Sequence, residues 1–249
     1  MKIIVQNLAT EYQDEGSGPV LLFLHGWKDT LHSFDTLTPL LSRTHRIIRL
    51  DLPGFGNTEI TQQPWTLDNY IQFVVDFITK LNLNVDVLVG HSFGGRIAIK
   101  GLAEHTLQAK KCILIAAAGI AKKQTLRNSL LRLIAKLGKA IIAIPPLNIW
   151  QQPLRKKLYQ SIGSDYFGAG SLKETFLHIV REDVTAQAQQ LSLPTLMIWG
   201  TDDTQTPLSD GKRLSDMIRG SELHVLDHAG HFVHREKPQE VAQIIQKFL

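Results

Sequence analysis

Apolar residues in this chain follow two rhythms that alternate along its length. Short apolar-rich runs of strand length occur at Val20–Leu24, Arg46–Leu50, Val85–Val89, Lys111–Ala116, Thr195–Trp199 and Glu222–Leu226, the first of them continuous. A run of strand length, bounded by turn residues, marks a strand buried on both faces. Between the runs lie segments with apolar positions three or four apart. Thr66–Leu81 places Tyr70, Phe73, Val74, Phe77 and Leu81 on one side of a helix capped by Thr66. Ser33–Leu41, Arg96–Ala103, Leu208–Ile218 and Pro238–Phe248 carry helical patterns too. Strand–helix alternation with short connections predicts an α/β fold with a mostly parallel sheet covered by helices on both faces.

One segment breaks the rhythm. From about Gly119 to Leu191 no strand pattern appears; helical spacing runs instead through Leu126–Ile142, Leu154–Ser161 and Leu172–Val180. The expected division is a core domain of residues 1–118 and 188–249, with residues 119–187 inserted as a helical cap beyond the carboxyl ends of the strands. The chain contains no internal repeat and no low-complexity stretch.

Composition narrows the class. A length of 249 residues, with 43% apolar and 20% charged residues, suits a globular protein with one large core. Met1–Val5 is too short for a secretory signal, and Glu11, Asp14 and Glu15 follow it closely. No stretch reaches the ~18 apolar residues of a membrane span, and the longest candidate, Ala140–Ile149, is interrupted by Pro145 and Pro146. These features predict a cytoplasmic location with no integral membrane segment. Cys112 is the single cysteine and lies in an apolar run, so it reads as a buried hydrophobe. The net charge of +4 is local in origin. No Asp or Glu stands between His105 and Ser164, whereas 11 of the 27 basic residues do, Lys136 and Lys139 among them. The remainder holds 16 basic residues against 23 acidic ones, which argues against nucleic acid as a partner. The basic stretch reads as the solvated face of the cap, with attraction of an anionic substrate or an anionic lipid surface as the alternative.

Candidate chemistry gathers where runs end. Val85–Val89 leads into Gly90-His91-Ser92-Phe93-Gly94, and a helix follows. G-x-S-x-G between a strand and a helix is a nucleophile elbow, which lifts the serine hydroxyl above a parallel sheet. A serine hydroxyl needs a base to take its proton and an acid to orient that base. Loops after later runs offer both: Gly200-Thr201-Asp202-Asp203 follows Trp199, and Asp227-His228-Ala229-Gly230-His231 follows Leu226, with His234 beyond. All emerge at strand carboxyl ends, the edge where open α/β sheets build their sites. Phe93, the residue after the serine, offers a backbone N–H to a developing oxyanion. No H-E-x-x-H, Cys/His cluster, dinucleotide fingerprint or P-loop is present, so neither a metal nor a cofactor is expected.

With His25-Gly26-Trp27 and Asp51-Leu52-Pro53-Gly54-Phe55-Gly56 upstream, and Gly230-His231-Phe232 near the end, these landmarks occur in the order of the α/β-hydrolase fold family. The chain resembles that family, in a serine esterase-like form with a helical cap, over essentially its whole length. The resemblance implies the chain order serine, acid, histidine. It places the acid three residues after Gly200, at Asp203 rather than Asp202, and the base at His231 rather than His228 or His234, both read as loop or surface residues. It makes Trp27 the second oxyanion donor. His25 reads as a brace for its loop, His91 as a residue packed beside the elbow, and Asp51 as a turn stabiliser. Relatives that open epoxides or displace halides carry aspartate at the elbow, where this chain has Ser92.

The expected reaction is hydrolysis of a small or medium-sized carboxylic ester through an acyl-enzyme, with no cofactor and a small-molecule ester as partner. The same triad also serves thioester hydrolysis, lactone opening, cleavage of a C–C bond in a diketone-like substrate and perhydrolysis. A non-catalytic ligand-binding member of the fold is the alternative from another class. The sequence names neither the substrate nor the oligomeric state.

Overall fold

The computed structural model, which describes residues 1–120 and 170–249, turns each of the six apolar runs into a strand of one sheet. Among the described residues the sheet has eight strands: β1 Lys2–Val5, β2 Leu8–Glu15, β3 Val20–Leu24, β4 Arg46–Leu50, β5 Val85–His91, β6 Lys111–Ile115, β7 Thr195–Gly200 and β8 Glu222–Leu226. Their order is β1-β2-β4-β3-β5-β6-β7-β8. From β4 to β8 every pairing is parallel, while β1 and β2 form an antiparallel hairpin laid against β4. The sequence pattern does not disclose this hairpin. Leu8–Glu15 is polar and only partly buried, so it lacks the apolar-rich signal of the inner strands.

Among the described residues the helices are α1 Thr38–Leu41, α2 Leu67–Lys80, α3 Phe93–Ala103, α4 Lys173–Arg181, α5 Thr185–Gln190, α6 Leu208–Met217, α7 Val233–Glu236 and α8 Pro238–Phe248, and α2, α3, α6, α7 and α8 pack on strands of the sheet. Thr66 caps α2 through a capping box. Its hydroxyl accepts from the Asn69 N–H, and the Asn69 side chain accepts from the Thr66 N–H. Phe73 and Phe77 of α2 are fully buried, and each such burial stabilises by about 1.5–3 kcal/mol relative to exposure. On one face of the sheet Leu21, Phe23, Val87, Val89, Ile113 and Ile198 pack with Val241 and Ile245 of α8. The single helix expected over Ser33–Leu41 is split into a 3-10 turn, Leu31–Phe34, and α1. Pro39 accounts for the split, because a residue without an N–H can open a helix but cannot continue one. Cys112 is buried, and burial pushes its thiol pKa up.

The chain forms two compact units, Met1–Ala121 with His178–Leu249, and Lys122–Leu177. The first contains the whole sheet. Its second segment starts where the returning chain is tied to α3. The buried Arg96 guanidinium donates to the carbonyls of Ile179 and Glu182, Lys100 pairs with Glu182, and the Val184 N–H donates to the Gly119 carbonyl at 2.9 Å. In the second unit, a 3-10 turn at Gly170–Leu172 leads into α4, where helical spacing is expected. The helical patterns at Leu126–Ile142 and Leu154–Ser161, and the basic residues there, lie outside the described residues. Among the described residues no helix is long and apolar enough to cross a membrane.

Candidate active site

Ser92 stands alone between β5 and α3, with φ 49° and ψ −107°. This is left-handed backbone that a residue with a Cβ enters at a cost of about 1–3 kcal/mol. The surroundings hold it there. Its N–H donates to the Ile115 carbonyl at 3.0 Å, and its own carbonyl accepts from the Ala118 N–H at 3.0 Å. The turn closes so tightly that a Cβ on Gly90 would lie 2.5 Å from the Gly94 carbonyl oxygen. The result is a half-buried serine at the carboxyl edge of the sheet. Phe93, the first residue of α3, has no carbonyl four residues back inside its helix to occupy its N–H.

Strand order brings a second loop to the same place. The chain leaves β3 for β4 on one side and returns to β5 on the other, so β3 and β5 flank the point where the winding reverses. Leu24 pairs with Gly90 there. His25, Gly26 and Trp27 therefore start level with the elbow, and a Cβ on Gly26 would lie 3.3 Å from the Ser92 Cβ. His25 is fully buried, and both its ring nitrogens are engaged. Nε2 accepts from the Leu52 N–H at 2.9 Å, so Nδ1 holds the proton and donates to the Gly26 carbonyl at 2.7 Å. That arrangement braces the loop and leaves no nitrogen for chemistry. Asp51 has a similar role in its turn, accepting from the N–H groups of Leu31 (2.7 Å) and Asn57 (2.8 Å).

Asp203 and His231 are brought together from the ends of β7 and β8. The Asp203 Oδ2 accepts from His231 Nδ1 at 2.9 Å, and the two side chains are almost wholly buried. Oδ1 accepts from the N–H groups of Gln205 (2.8 Å) and Thr206 (2.9 Å), and the Thr206 hydroxyl lies 2.8 Å from Oδ2. Burial works to raise the Asp203 pKa, but the hydrogen bonds from His231 and Thr206 outweigh it and hold the carboxyl below its usual range. Asp202 is exposed; its N–H donates to the Ala229 carbonyl at 2.9 Å, and its carboxylate accepts from the Thr201 hydroxyl at 3.0 Å. Ser92 and His231 are not hydrogen-bonded to each other in this structure. A contact of this kind commonly tightens only when substrate is bound.

His228 is exposed on its loop, at φ 53°. His234 corrects the sequence reading: it is fully buried in α7, not at the surface. Its Nε2 meets the Ser33 hydroxyl at 2.9 Å, and its ring lies 5.2 Å from that of Phe34 and 4.5 Å from that of His91. The short helix after His231 turns the side chain inward, and no periodicity in so brief a segment announces it. His91 packs between His231 and His234, and its Nε2 lies 3.0 Å from the His231 carbonyl oxygen. Burial pushes its pKa down to about 3, with the neighbouring His231 adding to the effect. Thr206 is a site residue that sequence reasoning passes over. The signal was Asp203-Thr204-Gln205-Thr206-Pro207 ahead of α6, an acid followed by a hydroxyl residue within one turn.

Around the elbow, Trp27, Phe55, Phe93 and Tyr70 form a connected aromatic cluster. Ring centroids lie 4.9 Å apart for Trp27 and Phe55, 5.5 Å for Trp27 and Phe93, and 5.0 Å for Tyr70 and Phe93. Among the described residues no group of three or more His, Cys, Asp or Glu side chains is arranged to hold a metal ion.

Comparison with known proteins agrees with this architecture. A hydrolase of Bacillus subtilis, YugF, is 27% identical over 252 residues, covering 96% of this chain and 92% of its own. The 2-hydroxymuconate semialdehyde hydrolase of Pseudomonas sp. (strain CF600) is 26% identical over 262 residues, covering 100% of this chain and 93% of its own. Among solved structures, a bacterial membrane phospholipase A superposes with a TM-score of 0.77 at 23% identity, covering 100% of this chain and 84% of its own, a likeness of fold. Residues 21–244 match the alpha/beta hydrolase family, and the chain belongs to it.

Proposed function

We propose that the protein hydrolyses a carboxylic ester through an acyl-enzyme intermediate, with Ser92 as nucleophile, His231 as base and Asp203 as the orienting acid. The observation that carries this reading is the 2.9 Å hydrogen bond from His231 Nδ1 to Asp203 Oδ2. It fixes the proton of a neutral imidazole on Nδ1 and leaves Nε2 bare to accept another. Family membership, with hydrolases among the relatives, supports the broader class.

Each step follows from that arrangement. Ser92 Oγ attacks the ester carbonyl as His231 Nε2 takes the hydroxyl proton. The carbonyl oxygen gains the negative charge, and the N–H groups of Phe93 and Trp27 stabilise it. Collapse breaks the bond to the alcohol oxygen, which receives the proton from Nε2 and departs. Water then loses a proton to Nε2 and attacks the acyl-serine, and the second collapse returns that proton to Ser92 Oγ, freeing the acid.

A second reading is hydrolysis of a C–C bond in a diketone-like substrate. It is favoured by one observation, the 26% identity to a 2-hydroxymuconate semialdehyde hydrolase. A chain-length series of p-nitrophenyl esters, run beside thioester, lactone and vinylogous diketone substrates, separates these chemistries. Ester turnover with saturation kinetics is the expected result. Turnover of the diketone alone would replace the ester reading. Failure of Ser92 to react with a fluorophosphonate would remove the nucleophile and favour a binding role.

A further inference from the structure

His91 occupies the position before Ser92 and is only 1% exposed. Its hydrogen bonding defines its proton. A main-chain carbonyl can only accept, so the 3.0 Å contact between His91 Nε2 and the His231 oxygen puts the proton on Nε2. The bare Nδ1 points elsewhere. It has no hydrogen-bond partner and lies 4.0 Å from Asp29 Oδ2, and a Cβ on Gly26 would come within 3.0 Å of it. The ring packs at a tilt against both neighbours, 4.8 Å from His231 and 4.5 Å from His234 between ring centroids. One side chain thus touches the loop after β8 and the loop after β3, while its own backbone is bonded to the serine.

Resting on the ester-hydrolase reading above, we propose that His91 is a positioning residue. Its Nε2–H holds the main chain of His231, and its ring sets the gap to Gly26, so that both loops are indexed to the residue beside Ser92. Chemistry of the alternatives supports a histidine here. The site needs a planar donor that reaches across to a carbonyl and stays uncharged beside an imidazole that becomes cationic during turnover. A lysine or arginine would place a second positive charge against His231. A leucine would fill the space but leave the carbonyl unpaired in a buried site. The charged and titratable groups facing His91 are Asp29 from the loop after β3, and His231, His234 and Arg235 from the segment after β8. Burial outweighs Asp29, and the ring stays neutral across the working range.

The test compares His91→Leu, which keeps volume but cannot donate, with His91→Gln, whose amide N–H reaches the same carbonyl. Thermal unfolding of each variant shows that it is folded. The expected result is a fall in kcat of about tenfold to a hundredfold for the leucine variant, the scale of a displacement of roughly 1 Å in a reacting group. KM should be little changed, and the glutamine variant should stay within about threefold of the parent. Equal rates for two folded variants, whether high or low, would overturn the proposal. Imidazole nitrogen NMR supplies a readout independent of turnover. Parent His91 should show a neutral ring protonated at Nε2 from pH 5 to pH 9, and the His231 Nδ1 proton should broaden in the leucine variant and persist in the glutamine one. A His91 protonated at Nδ1, or a His231 signal indifferent to the leucine change, would also overturn it. Absence of fluorophosphonate labelling in the parent protein would instead count against the ester-hydrolase reading, with the NMR comparison still deciding the role of His91.

Discussion

Gly94 faces the main chain of β3 so closely that a Cβ there would lie 2.1 Å from the carbonyl oxygen of Leu24. The first turn of α3 thus rests on backbone, which cannot rotate away as a side chain would. The same contact carries a hydrogen bond from the Gly94 N–H to the His25 carbonyl at 3.1 Å. The elbow and the loop holding Trp27 are therefore set by one packing event.

Gly94→Ala should move α3 away from β3 and disturb both loops together. The expected outcome is a stability loss of about 1–3 kcal/mol, in the range of overpacked cores, with activity lost beyond what stability explains. Urea unfolding together with esterase assays on the folded fraction measures both. A variant as stable and active as the parent would mean that the backbone contact is not rigid.

Ser92→Ala should leave the fold intact and reduce ester turnover by several orders of magnitude, as expected for removal of a nucleophile. Fluorophosphonate labelling should vanish with it. A retained rate above about a tenth of the parent rate would assign the chemistry to another group.

Asp203→Asn should lower kcat by orders of magnitude, because an amide can leave the imidazole in the wrong tautomer. Asp202→Asn should be mild, since that carboxylate is exposed and bonds only to Thr201. Thr206→Val removes a hydroxyl 2.8 Å from Asp203 Oδ2 while keeping the backbone donor. Losing one hydrogen bond to a charged group predicts a fall of about tenfold. Steady-state kinetics on the three variants should rank them Asp203, then Thr206, then Asp202; an inverted order of the two aspartates would move the acid by one residue.

Stability should fall in mild acid. His25, His91 and His234 are buried, and burial lowers the pKa of each. The folded chain keeps them neutral, whereas the unfolded chain takes up protons below about pH 6.5. Their contribution is whole above that pH and is lost as pH falls towards the folded values, by up to about 1.4 kcal/mol per unit for each histidine. Carboxylates with lowered pKa, Asp203 among them, add their own loss only nearer pH 4. Urea unfolding between pH 7.5 and pH 5 should show stability falling as pH drops, most steeply below about pH 6.5. A flat profile would mean that these rings protonate in the folded protein.

Most of the sheet was legible because its inner strands are largely buried on both faces and therefore rich in apolar residues. Leu22 and Leu88 show the pattern plainly, each with almost no exposure. The β1–β2 hairpin was hidden for the converse reason: one face meets solvent, and residues such as Gln13 and Asp14 dilute the signal. The elbow could be read from two glycines because its geometry allows nothing larger. The histidines divided differently. Gly230 and the family order singled out His231, but nothing local showed that His234 turns inward, since its burial depends on Ser33 and Phe34, some two hundred positions earlier. Contacts that join distant segments leave no periodic trace.

The φ of 49° at Ser92 sets the requirements of the reaction against those of the fold at a single residue. A glycine there would adopt the same backbone without strain, so Ser92→Gly should raise the unfolding free energy by about 1 kcal/mol while removing the hydroxyl. Selection for durability alone would drift towards that glycine. The serine persists only while its hydroxyl is used, which makes residue 92 the place where a descendant that had abandoned chemistry would first betray it.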